Sequence, residues 1–175
     1  MTKIHRSQWT KLIGYGALAG VAGGLAEILW ITLYGSLSGS DAAEVARAIS
    51  QVAGLALPTT ALITMPVAAG IAIHMVIAVG LGVALVFAWR ALTRFRSSTI
   101  DEYAFMLAAL ALVWMFNFYL VLPLIGASVA DPTRVVVDVV PYPVSLLSKL
   151  LFGLAAAAML RYGTGNRPAV GRVRI

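Results

Sequence analysis

Four long apolar runs divide the 175-residue chain, and short stretches richer in polar residues separate them. The runs cover about residues 12–35, 62–89, 103–127 and 142–162. At a rise of about 1.5 Å per residue, each run is long enough as a helix to cross about 30 Å of hydrocarbon. The pattern therefore predicts an all-α integral membrane bundle of four transmembrane helices, in a single domain over residues 1–175.

Prolines mark several ends of these runs. Pro66 predicts a late helix start or a kink in the second run, because proline cannot donate a backbone hydrogen bond inside a helix. The third run ends near Pro123 and Gly126, and the fourth begins around Pro141 and Pro143, where proline is tolerated in a first helical turn.

Composition changes the range of functions that the chain can have. Residues of the apolar set make up 61% of the chain and charged residues 11%, whereas soluble domains have about 45–50% and 25%. The mean hydropathy is +0.91. A chain this short cannot bury so much apolar surface in a core that faces water, but lipid can cover it. This composition excludes a soluble enzyme, a disordered tail and a nucleic-acid-binding domain. The lipid bilayer is therefore the first partner that we expect for the chain.

The basic residues predict the orientation in the membrane. Ten of the 13 Lys and Arg residues lie in the N-terminal segment, between the second and third runs, or after the fourth run. The other two loops contain only Arg47 and Arg134. Because cytoplasmic loops carry an excess of Lys and Arg, both termini are expected in the cytoplasm of a multi-pass protein of the bacterial inner membrane. A basic tail over residues 163–175 should contact a partner's acidic face or anionic headgroups, through Arg161, Arg167, Arg172 and Arg174.

The first outer loop, about residues 36–61, contains a predicted short amphipathic helix. Asp41 and Glu44 have the spacing of a capping box, and Val45, Ile49 and Val52 recur at helical spacing behind them. The pattern is typical of a helix lying on the outer membrane face, or of a helical linker.

Each run also contains one polar residue that hydrocarbon disfavours: Glu27, His74, Asn117 and Lys149. A charged side chain at the bilayer centre costs at least about 2.5–3.5 kcal/mol, so such residues face the bundle and find partners there. Small residues, which let helices approach closely, share helical faces with three of the four. These predicted packing residues are Gly16, Gly20 and Gly23 near Glu27, Gly70, Ala78 and Gly82 near His74, and Gly153 and Ala157 near Lys149.

Glu27 and Lys149 are predicted to form an ion pair. Each lies about seven residues from the outer end of its run, or roughly 10 Å deep. Opposite charges at matched depth lower the cost of burying each other, although a buried pair is weak evidence for stability. The pair is either purely architectural or part of a proton or ligand site.

No residue pattern points to catalysis or to a bound cofactor. The chain has no cysteine, and its only other histidine besides His74 is His5, outside the runs, so a bis-histidine haem site is not expected. The sequence contains no Ser-His-Asp set, no phosphate-binding loop and no paired acidic motif. We therefore expect no enzyme, no metal and no cofactor.

Short motifs in the runs resemble a known group. The first run is rich in glycine, the second contains His74 followed at Ile77 and Ala78 by an aliphatic and a small residue, and the fourth contains Lys149 followed by Phe152 and Gly153. These features resemble the YagU-like group of small four-helix bacterial inner-membrane proteins. The resemblance implies a four-helix fold and a link to acid tolerance. The sequence departs from the group's pattern at Lys149, where a histidine recurs, and at Ala78, where glycine does.

Three functions remain open from the sequence. The sequence favours the first, a non-catalytic accessory subunit that packs against other integral subunits of a larger inner-membrane complex, of a respiratory or oxidase type. The second is a small proton-linked transporter or channel that uses Glu27, His74 and Lys149. The third is a haem- or quinone-binding anchor that uses His74.

The orientation leads to a direct test. Because the basic asymmetry places both termini inside, an alkaline phosphatase fused after residue 175 should be inactive and a green fluorescent protein fused there should fluoresce. A C-terminal phosphatase that is active in the periplasm would contradict this topology.

Overall fold

The computed structural model describes residues 6–56, 64–92, 99–126 and 139–165. Within these ranges the ordered elements are helical and no strand occurs, so the all-α class is confirmed. The helices are α1 (Arg6–Ser38), α2 (Ala43–Ala56), α3 (Pro66–Leu92), α4 (Thr99–Phe116), a π-helical turn (Asn117–Val121), α5 (Leu122–Gly126) and α6 (Tyr142–Gly165).

Four helical segments are long and apolar enough to cross a membrane: Trp9–Ser38, Pro66–Leu92, Asp101–Leu124 and Tyr142–Gly163. The predicted number of four spans is confirmed in the described part of the chain, and their ends differ from the predicted ones by four residues or fewer. The late start of the second span at Pro66 is confirmed as well, since α3 begins at this proline.

Helix α1 is the central helix of the bundle. It packs along both α3 and α6, α4 packs mainly on α6, and α2 packs on α3. Helices α3 and α4 make few contacts with each other. They meet at Trp89 and Phe105, whose ring centroids are 5.2 Å apart. Any side chain on the inner face of α1 therefore lies between α3 and α6.

Glycines set the close approach of α1 to its two neighbours. A methyl group at Gly82 of α3 would overlap the backbone of Gly16 and Gly20 in α1, so these helices touch backbone to backbone. On the other side, a methyl group at Gly23 would lie 2.6 Å from the ring of Phe152 in α6. The small residues of α1 thus allow both α3 and α6 to reach the same stretch of helix.

The eight small residues singled out in the sequence are all buried. Ala78 packs against α1, Ala157 lies in the main apolar core, and Gly153 faces the backbone of Met106 in α4. Gly70 differs from expectation, because it faces the backbone of Ala46 in α2 rather than a spanning helix. The reason is that α2 is itself packed on the N-terminal half of α3.

Hydrogen bonds hold helix α2 at its start and at its middle. Asp41 accepts a bond from the backbone N–H of Ala43 at 2.9 Å and from Arg47 Nη1 at 3.0 Å, and these contacts hold the pKa of its carboxyl below the ordinary value. The reciprocal bonds of the predicted capping box are absent among the described residues, because the side chain of Asp41 bonds the N–H of Ala43 and not that of Glu44, and Glu44 pairs with Arg47. At the middle of the helix, the hydroxyl of Ser50 donates to the carbonyl of Pro66.

A cluster of aromatic rings joins the π-helical turn to the start of α6. Trp114 stacks on Phe118 with centroids 5.5 Å apart, and Tyr119 stacks on Tyr142 at the same distance. The indole N–H of Trp114 donates to the hydroxyl of Ser145 at 2.9 Å. This cluster holds the C-terminal end of α4 against the start of α6.

The backbone contact of α1 and α3 predicts unequal effects of two similar substitutions in α3. Gly82→Ala should lower stability by about 1–3 kcal/mol, because its methyl group must push the two backbones apart. Gly80→Ala is the matched control, since nothing lies within 4 Å of a methyl group at that position. It should leave stability unchanged or raise it, because alanine favours helix more than glycine. Thermal unfolding in detergent checks both, and equal midpoints for the two variants would contradict the backbone contact.

Candidate functional site

The candidate site is built around the carboxylate of Glu27, which lies on the inner face of α1 and is 3% exposed. One turn further along α1, the indole N–H of Trp30 donates to the carbonyl of Val144 in α6 at 3.0 Å. This bond fixes α1 against α6 next to the carboxylate. Glu27 is thereby held between α6 on one side and α3 on the other.

Lys149 of α6 supplies the opposite charge. Its Nζ lies 2.6 Å from Oε1 of Glu27, which is a short, charge-assisted contact. The lysine side chain is 21% exposed, against 4% for that of Glu27. The contact predicted from the matched depth of the two residues is therefore present.

Ser148 is a further neighbour of Glu27 that the sequence pattern did not single out. Its hydroxyl lies 3.3 Å from Oε1 of Glu27 and 2.8 Å from the carbonyl of Ser145. A hydroxyl has one proton to donate, so the two acceptors share it and the nearer carbonyl takes the larger part. A serine beside Lys149 in an apolar run is the only signal that the sequence offers for this residue.

His74 of α3 approaches the other oxygen of the carboxylate. Its Nε2 lies 3.7 Å from Oε2 of Glu27 and 3.4 Å from the carbonyl of Gly24. Both distances exceed those of a good hydrogen bond, so the imidazole is next to the carboxylate without being tightly held by it. Oε1 is thus occupied by Lys149 and Ser148, whereas Oε2 retains capacity to accept a bond.

Asn117 does not join this group. It begins the π-helical turn after α4, and its carbonyl accepts the backbone N–H of Leu122. Among the described residues, no hydrogen bond or ion pair links Asn117 to Glu27, His74 or Lys149. Three of the four polar residues predicted inside the membrane therefore form one cluster, and the fourth lies apart.

A cavity of about 240 Å³ reaches this cluster from the side of α2. Glu27, His74 and Thr32 are the polar residues of its lining, and the rest of its wall is apolar. The apolar wall comes from three helices, with Ile28 and Ile31 of α1, Val45 and Ile49 of α2, and Val67 and Ile71 of α3. The predicted apolar stripe of α2 thus contributes Val45 and Ile49 to the wall of a cavity.

The cluster can exchange protons, but it does not have the composition of a metal centre. A carboxylate, an ammonium and an imidazole are all groups that gain or lose a proton in transport proteins. Within the described ranges no three His, Cys, Asp or Glu side chains lie close enough together to hold a metal ion. With His74 neutral, the charges of Glu27 and Lys149 cancel.

The basic tail is only partly described. Arg161 lies exposed near the end of α6, whereas Arg167, Arg172 and Arg174 lie outside the described residues. The prediction that this tail contacts a partner or lipid headgroups therefore stays a prediction.

The ion pair predicts strong coupling between Glu27 and Lys149. Glu27→Gln or Lys149→Met alone should destabilise the protein more than the two together, because each single change leaves one buried charge unpaired. The coupling energy from the double-mutant cycle should be about 1 kcal/mol or more, measured by unfolding in detergent. Additive effects of the two substitutions would show that each side chain depends on a different partner.

Comparison of the chain with protein-family models, with curated proteins and with solved structures finds no match. The resemblance to the YagU-like group stays a prediction, and the site stands on its own geometry.

Proposed function

We propose that this protein is a non-catalytic, multi-pass protein of the bacterial inner membrane with both termini in the cytoplasm. The four apolar spans support the membrane placement, and the distribution of Lys and Arg supports the orientation. In this orientation α2 lies at the outer face, with Asp41, Glu44 and Arg47 towards water and its small residues on α3.

Within that membrane, the proposed function is a small proton-linked transporter or channel that uses Glu27, His74 and Lys149. The observation that carries the proposal is the buried Glu27 carboxylate, which contacts Lys149 at one oxygen, lies 3.7 Å from His74 at the other, and lines a cavity together with His74. Ionisable groups inside membrane spans are costly, and they mark ion pathways and proton relays. The cavity gives such a relay an entrance.

We propose an order for the steps of the proton's path. His74 lines the cavity and lies 3.7 Å from Oε2 of Glu27, so its imidazole receives a proton from the cavity and passes it to the carboxylate. A protonated Glu27 no longer balances the charge of Lys149. The lysine side chain, one fifth exposed, then turns away from Glu27 and opens the second half of the path.

An accessory subunit of a larger inner-membrane complex, of a respiratory or oxidase type, is the second candidate. The observation in its favour is the large apolar and aromatic surface on α4 and the π-helical turn, where Phe116 is 60% and Tyr119 64% exposed. Aromatic residues of this kind serve as anchors at protein interfaces as well as at lipid headgroups. Larger subunits that co-purify in mild detergent, less so after deletion of residues 164–175, would favour this candidate.

The proton path is tested in vesicles. Purified protein in liposomes with an internal pH dye should acidify the interior when valinomycin and a potassium gradient make it negative. The variant Glu27→Gln with Lys149→Met, in which no charge is left unpaired, should reduce the proton flux to the rate of protein-free vesicles.

The control for this experiment is Glu44→Gln, which neutralises an exposed carboxylate on α2 and should leave the flux unchanged. A wild-type flux no faster than that of protein-free vesicles would contradict the proposed function. An equal flux in the wild type and the paired variant would show that protons cross elsewhere.

A further inference from the structure

The cavity beside Glu27 has the properties of a ligand site. It lies between α1, α2 and α3, and its volume is about 240 Å³. A dry cavity of about 150 Å³ is known to take benzene, so this one has room for a ring with a short substituent. Its wall of isoleucine and valine side chains favours an apolar body of that size.

The Glu27 carboxylate, which lines the cavity, favours a ligand that donates a hydrogen bond. Oε2 is the carboxylate oxygen on the cavity side, because its neighbour His74 lines the cavity and the neighbours of Oε1, Lys149 and Ser148, do not. The nearest nitrogen of His74 is 3.7 Å from Oε2, which is too far for a full hydrogen bond. A hydroxyl placed there would donate to a carboxylate that is otherwise buried.

The charge balance of the cluster favours a ligand with a neutral polar group over a ligand with a cationic group. Lys149 already balances the charge of Glu27 at 2.6 Å. A cationic ligand would add an uncompensated positive charge to an apolar surrounding, which is unfavourable. A neutral hydroxyl adds none.

From these three properties we propose that the cavity binds a neutral, single-ring amphiphile that donates a hydroxyl group to Glu27 and buries its apolar part between α1, α2 and α3. Phenols and quinols are this chemical class. The inference rests on the proposed function in one respect, because it names the class of solute whose movement the proton-linked site would drive.

Equilibrium dialysis against protein in lipid nanodiscs tests the proposal, with empty nanodiscs correcting for partition into lipid. The probe is para-propylphenol, and we expect saturable binding. Propylbenzene, which lacks the hydroxyl, should bind about tenfold more weakly, at the lower end of what a hydrogen bond to a charged group contributes. Benzyltrimethylammonium, a cation of similar size, should not compete.

Two neighbouring positions on α1 give a matched pair of variants. Ile28→Trp fills the cavity and should abolish saturable binding of the phenol. Leu29→Trp adds the same side chain on the exposed face, where Leu29 is 69% exposed, and should leave binding unchanged. Ile49→Trp on α2 fills the cavity from the opposite wall and serves in place of Ile28→Trp where that variant does not fold.

Several outcomes would overturn the proposal. These are the absence of saturable phenol binding, equal binding of propylbenzene, displacement by the cation, or binding that survives both cavity-filling variants. The test is independent of the proton flux. Phenol binding without proton flux would support the ligand site and contradict the transport function. Proton flux without phenol binding would support the transport function and contradict the ligand site.

Discussion

The structure depends on one constraint, which is that the Glu27 carboxylate must not be left alone inside an apolar bundle. A buried charge without a partner costs several kcal/mol, so α1 can occupy the centre only if a cation reaches it there. Lys149 of α6 does so at 2.6 Å. The pairing fixes the register of α6 against α1 to within one helical turn, since a shift of one turn would separate the charges by about 5 Å.

The glycines of α1 make that pairing geometrically attainable. Gly23 lies against the ring of Phe152, and Gly24 lies against Ala78 and Met75, so α6 and α3 approach α1 just before Glu27. Larger side chains at these positions would move both neighbours outward. Because the side chain of Glu27 is short, it would then contact neither Lys149 nor His74. The small-residue faces and the polar cluster are therefore one feature of the fold.

Much of this arrangement could be predicted from the sequence because it follows from hydropathy and helical spacing. The four spans, the buried small residues and the contact of Glu27 with Lys149 are of this kind. The π-helical turn at Asn117 and the packing of α2 on Gly70 are not, because both depend on how helices far apart in the chain meet. The cavity could not be predicted from the sequence either, since its walls come from three helices. Helix α1 also continues to Ser38, three residues beyond the predicted end of its span.

The cavity bears on whether the ion pair is only architectural. A buried ion pair contributes little net stability, and apolar residues of similar volume hold helices together as well or better. An architectural pair would moreover be enclosed on all sides, because each unused acceptor oxygen adds to its cost. Here one oxygen of Glu27 contacts Lys149 and Ser148, while the other lies 3.7 Å from His74, which lines the cavity together with Glu27. Under the proposed function, this asymmetry lets the same carboxylate keep one partner while it exchanges another.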